Sequence, residues 1–120
     1  MSNYWVVGAT VSSQDMSDDF ITRGFWFGDR EDVQSTIAQI EAGDRLAIKS
    51  MLGRGATQVS IKAIGLVTHV RGFNATPFKF FYVDWLDLRR ENRRVPFSGF
   101  GGTIHQIDGT SDVAEGVFKL

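Results

Sequence analysis

The sequence predicts an α+β fold: a small curled β-barrel with two or three short helices packed outside it. Three observations predict it. Short runs of apolar, β-branched and aromatic residues recur from Tyr4 to Ile107 and outnumber the helical patterns. The helical patterns come early, between the first strand pattern and the next. The longest strand pattern changes its apolar phase part-way, as a strand does when it bulges or turns a corner.

The elements follow in order. Tyr4 to Ala9 (YWVVGA) is an apolar run of β-formers ended by Thr10, Ser12 and Ser13, which predicts a buried first strand. Ser17, followed by Asp18 and Asp19, predicts a helix start, because a hydroxyl caps free N–H groups and the dipole favours negative charge there. Gly24 ends that helix. After Phe25-Trp26-Phe27-Gly28, Asp29 predicts the cap of a second helix, whose Val33, Ile37 and Ile40 make one apolar stripe before Gly43. Arg45 to Ser50 is the next strand, and Met51 to Ala56 (MLGRGA) a glycine-punctuated turn.

Gln58 to Val70 predicts a long strand. Val59, Ile61 and Ala63 alternate with polar residues, then the phase moves to Ile64, Leu66 and Val70, which places a bulge or bend near Gly65. Arg71 to Pro77 reads as a loop, Phe78 to Leu88 (FKFFYVDWLDL) as an aromatic strand, and Arg89 to Arg94 as a charged turn. The last strand lies within Val95 to Ile107, interrupted by Ser98 to Gly102. Beyond Ile107 the pattern fades into polar residues. The domain is therefore read as 1–110, with 111–120 a tail or the start of a linker to a further domain.

At 120 residues, 42% hydrophobic and 22% charged, the chain has the size and balance of one soluble domain. It contains no cysteine, which removes disulfides, thiolate metal sites and cysteine nucleophiles. No apolar run approaches the roughly 20 residues that span a bilayer, and no charged-then-apolar leader opens the chain, so a cytoplasmic protein is expected. The net charge of −1 argues against a protein that holds nucleic acid by neutralising many phosphates. A nucleic-acid role would need a local basic surface and a specific pocket.

Catalytic and metal chemistry find little footing. His69 and His105 are the two histidines, without helical spacing, and Ser98-Gly99 lacks the leading glycine of a nucleophile elbow. A binding domain without cofactor or metal is expected, not an enzyme. Gly53-Arg54-Gly55 lies between strands, so it is either a hairpin turn that needs positive φ or a loop whose bare backbone approaches a phosphate. Arg89, Arg90, Arg93 and Arg94 form a basic cluster that Arg54, Lys49, Lys62 and Arg71 would extend, or else a solvated turn. The aromatic triplet is the sharpest feature. Three consecutive aromatic side chains cannot all point inward, so at least one of Phe25, Trp26 and Phe27 should face a cleft or solvent. A tryptophan there would offer a base a stacking surface.

Taken together, Tyr4-Trp5-Val6-Val7-Gly8-Ala9-Thr10, Gly24-Phe25-Trp26, Ala42 to Ser50 (AGDRLAIKS), Ile61-Lys62-Ala63-Ile64-Gly65, Val83-Asp84-Trp85 and Gly102-Thr103-Ile104 resemble the EVE/YTH branch of the PUA-like superfamily. The likeness covers about residues 3 to 107. It extends to the specificity domains that precede McrB-like AAA+ GTPases in modification-dependent restriction systems. The resemblance implies a module that flips a modified base, a modified cytosine or methyladenine, out of DNA into an aromatic cage, and an AAA+ GTPase or nuclease as partner. It implies Trp26 as the first cage wall, with Phe27 beside it and Phe73, with Phe78, for the second, and Ala9, Thr10, Lys49 and Ser50 at the base edge. Trp85 is implied as core. Gly53, Arg54, Gly55, Arg71, Arg89 and Arg90 are the residues expected on the nucleic-acid backbone. An RNA-binding accessory or modified-RNA reader is the alternative, and an enzyme acting on a small nucleotide the third reading.

Overall fold

The computed structural model describes residues 2–53, 55–73, 76–96 and 103–119, Pro77 by its backbone alone. Among these residues seven strands form one sheet. Strand β1 (Tyr4–Val7) lies parallel to β5 (Arg45–Met51) and antiparallel to β9 (Ile104–Ile107). The long β6 (Gln58–Phe73) pairs antiparallel with β5 on one side and with β7 (Thr76–Asp87) on the other. The short β4 (Phe25–Trp26) adds to β7, and β8 (Arg93–Pro96) pairs with Gln58 to Ile61, where β7 has already left β6. Strands β2 (Thr10–Val11) and β3 (Gln14–Asp15) make a small separate ribbon turned by Ser12 and Ser13, both at positive φ.

Among the described residues the class is mixed α+β, mostly sheet with three short helices, as expected. The described strands run as an open path from β4 to β9, and no pairing among them closes it into a barrel. The stretch between β8 and β9 (97–102), with the predicted Ser98-to-Gly102 break, lies outside the described residues.

A parallel pair needs a crossover, and here it carries α1 (Ser17–Arg23) and α2 (Gln34–Ile37), the latter entered through a 3-10 turn at Glu31–Val33. Both faces of β1 and β5 are consequently buried, which explains their unbroken apolar runs. Trp5, Val7, Leu46 and Ile48 join Phe20, Trp26, Ile37 and Phe81 in one core cluster, whereas Val6 and Ala47 join Ile61, Val95 and Val117 in a second. The phase switch in β6 has this cause. Ala63 belongs to the first cluster and Ile64 to the second, and the register against β5 steps from Ile48–Ala63 to Lys49–Ile61, leaving Lys62 as a bulge.

Several local expectations change. Ser17 is the first helical residue of α1 and does not cap it; the Asp15 carboxylate accepts from Ser17 N at 2.9 Å and from its hydroxyl at 2.7 Å. Asp29 caps no helix and accepts instead from the Ser12 hydroxyl at 3.1 Å. Gly24, at φ +78, does end α1. The loop expected over Arg71 to Pro77 is mostly strand, since Phe73 pairs with Thr76 in an extended β6–β7 hairpin. The stretch read as a tail holds α3 (Asp112–Phe118), capped by Ser111, whose Oγ accepts from Ala114 N at 3.1 Å. Ala114 and Val117 are buried, so α3 seals the second cluster. Its signal was short, two apolar i, i+4 pairs, Val113 with Val117 and Ala114 with Phe118, within seven residues.

Gly65 marks the tightest approach in the sheet. A Cβ there would lie 2.5 Å from Val83 Cγ1, 2.7 Å from Trp85 Cε3 and 2.9 Å from the Asp84 carbonyl oxygen. Gly65→Ala is expected to cost about 1–3 kcal/mol by overpacking, read as a lower urea midpoint with an unchanged slope. A midpoint equal to that of the parent would mean that strand and ring yield freely.

Candidate functional site: a polar hollow and an aromatic cleft

The last paired residues of the parallel strands are Val7 and Ile48. Beyond them β1 turns away, with Gly8 N donating to the Thr103 carbonyl at 2.7 Å, while β5 continues through Lys49 to Met51. The divergence opens a hollow of about 330 Å³, lined by Gly8, Ala9, Thr10, Asp15, Ser17, Arg30, Lys49, Ser50, Met51 and Thr103. Four of the residues expected at the base edge, Ala9, Thr10, Lys49 and Ser50, therefore meet around one cavity, whose size falls in the range of small-ligand sites, about 300–1,000 Å³.

Lys49 dominates its electrostatics. The residue is only 7% exposed, and no hydrogen bond or ion pair reaches its ammonium among the described residues. No wholly enclosed side-chain nitrogen or oxygen among these residues lacks a partner, so Nζ is not sealed off from solvent, and Lys49 is one of the residues that line the hollow. Burial pushes its pKa below the ordinary lysine value. His105 is likewise held below its usual value, by burial first and then by the charge of Lys49. Arg30 is neutralised by Asp32, with Nη2 2.6 Å from Oδ2, and Nη1 reaches the Thr103 hydroxyl at 3.5 Å. Asp15 is held below the carboxylate range by the Ser17 hydroxyl, then by Ser17 N–H, with Lys62 adding a smaller attraction.

Trp26 does not line this hollow. Its ring is 0% exposed, packed at 5.9 Å from Phe81, and its indole N–H donates to the Gly8 carbonyl at 2.9 Å. The expectation of an indole cage wall is corrected: pairing with β7 turns Trp26 inward, so it supports the strand end from behind. Of the triplet, Phe27 is the ring that reaches a cleft. Phe27, Gly28, Asp29, Phe73, Thr76, Phe78 and Lys79 line an apolar cavity of about 480 Å³. Phe73 is 57% exposed, and Phe27 is held by stacking on Phe25 and Phe80. The cage residues thus divide between two cavities, separated in sequence by the single step from Asp29 to Arg30. Trp85 is partly buried against the first core, its N–H 3.4 Å from the Phe25 carbonyl.

Among the described residues the basic cluster is not one face of free cations. Arg89 is bound to Asp18 at 2.6 Å and Asp87 at 2.7 Å, and its hydrogen bonds, side chain before backbone, lower the Asp87 pKa to about 2. Arg93 pairs with Glu91 and donates to the Val117 carbonyl. Arg71 and Arg90 are exposed. Gly53 and Gly55 adopt φ of +116° and +80° with open space around them, as a turn between strands requires; Arg54 lies outside the described residues. Sequence reasoning missed Asp15, Arg30 and Thr103, which are brought to the hollow from distant segments and carry no local motif.

No family model matches this chain, and a search of curated proteins finds no match. Among the described residues no group of three or more His, Cys, Asp or Glu converges as a metal site, and no helix is long and apolar enough to cross a membrane.

Proposed function

We propose that this domain is a binding module that reads a modified base, a modified cytosine or methyladenine, in nucleic acid, with DNA preferred to RNA. The observation that carries the reading is the open aromatic cleft of Phe27, Phe73 and Phe78 beside a polar hollow with a cationic floor. A nucleotide has the same two halves, a flat ring and a charged backbone. Extruding a base from a duplex costs a few kcal/mol, and stacking on aromatic side chains returns about 1–3 kcal/mol per base. A methyl group in an apolar corner adds about 0.8 kcal/mol.

With a net charge of −1 and Arg89 and Arg93 held in ion pairs, affinity rests on the pocket more than on phosphate neutralisation. In the same reading the sheet is a curled barrel of the PUA-like, EVE/YTH kind. The module then targets a restriction or defence system through an AAA+ GTPase or nuclease partner, whose multimerisation would raise a weak intrinsic affinity.

Fluorescence anisotropy with matched duplexes and single strands carrying cytosine, 5-methylcytosine, 5-hydroxymethylcytosine, adenine or N6-methyladenine, in DNA and RNA, tests the reading. One modified DNA should bind better than its unmodified twin. Phe73→Ala should weaken that ligand about 5- to 100-fold, the equivalent of one lost stack, without lowering the melting temperature of a protein in which this ring is exposed. Equal binding of all ligands would remove the proposal, and preference for the RNA series would transfer it to the RNA reader.

A further inference from the structure

The cationic floor of the hollow has a consequence independent of which base, if any, the aromatic cleft accepts. A lysine removed from water is costly unless it is deprotonated or meets a negative charge. Here the residue is 7% exposed, lacks an acidic partner among the described residues and lines a cavity. Around it stand hydroxyl groups with protons to give. Among the described residues Thr10 and Ser50 donate to nothing, and the Thr103 hydroxyl accepts from Arg30, which leaves its own proton available. Ser17 is different, since its hydroxyl is spent on Asp15. Asp15 is the opposing charge, at the exposed rim; it is already engaged by Ser17 N–H and Oγ, with Lys62 nearby.

We propose that this hollow is a phosphate-class anion site, in which the Lys49 ammonium supplies the charge and the hydroxyls of Thr10, Ser50 and Thr103 supply the directed hydrogen bonds. An ammonium acts on phosphate as a point charge, and surrounding hydroxyls provide the geometry it lacks. A phosphodiester in a strand and a free phosphate share this chemistry. If the reader proposal holds, the anion is a backbone phosphate next to the extruded base; the site itself does not depend on that.

The test is an NMR titration of the full chain at constant ionic strength in chloride, following the amides of Thr10 and Ser50. The probes are inorganic phosphate, a nucleoside 5′-monophosphate and an unmodified oligonucleotide. At least one should shift these amides saturably. Lys49→Met should weaken that response about tenfold or more, the loss expected for a hydrogen bond to a charged group. Its melting temperature should stay equal or rise, because a desolvated charge is removed.

Thr10→Val, at an exposed position, should weaken binding about threefold to tenfold with the fold untouched. Saturation by inorganic phosphate or the mononucleotide would mark a free-phosphate ligand; saturation by the oligonucleotide alone would mark a strand phosphate. Shifts that do not saturate, or that survive in both variants, would overturn the site. Saturable amide shifts without any preference among bases in the anisotropy series would remove the reader and keep this site, and the reverse pattern would remove this site and keep the reader.

Discussion

Trp26→Ala is expected to remove about 3–5 kcal/mol of folding stability, the usual cost of truncating a large buried aromatic. In a chain of 120 residues that is a fall in melting temperature of roughly 10–25 °C. The ring is 0% exposed, packs against Phe81 and anchors Gly8, so the loss combines a cavity, lost contacts and an unpaired indole partner. A stacking wall would behave in the opposite way, losing ligand discrimination while the melt stayed in place. Trp26→Phe sharpens the comparison, since it keeps most of the volume and loses the hydrogen bond, and should cost about 1–2 kcal/mol. A near-parental melt for the alanine variant would mean that the indole leaves the core and that the hollow is wider than described.

Asp44→Ala should be comparably severe. This carboxylate, 2% exposed, accepts from Asn3 N, from the Trp5 indole N–H and from Glu41 N, each at 3.0 Å. It thereby ties the start of β1 to the start of β5, the parallel pair whose far ends form the hollow. Removing it leaves buried donors without acceptors, at about 1–3 kcal/mol for each that water cannot reach, so a total of about 3–5 kcal/mol is expected in urea denaturation. Asp44→Asn should fall between parent and alanine, because the amide keeps one acceptor but turns a donor toward donors. Equal midpoints for all three proteins would show that the network contributes nothing net.

Much of this architecture was legible because it is written in local chemistry. The strands at Tyr4 and Arg45 stand out because Trp5 to Val7 and Leu46 to Ile48 are buried on both faces and apolar at every position. Gly24 ends α1 because its φ of +78° suits glycine. The β6 bulge was visible as a change of phase, because a strand passing from one core to another must change which side is apolar. Asp44 was less legible: it carries no local motif, and only the fold brings Asn3 and Trp5 to it. Helix α3 escaped because seven residues, less than two full turns, carry little periodicity.

By itself, then, the sequence determined an α+β domain and the places of most strands, and it singled out Thr10, Lys49, Ser50, Phe27, Phe73 and Trp26 as one set. Tertiary structure alone decided how that set is divided: Thr10, Lys49 and Ser50 around one hollow, Phe27 and Phe73 around another cavity, and Trp26 in the core behind them. The physical reason is pairing. Composition says that three adjacent aromatics cannot share one side, but which of them turns inward depends on the register of β4 against β7, a contact between residues more than fifty positions apart.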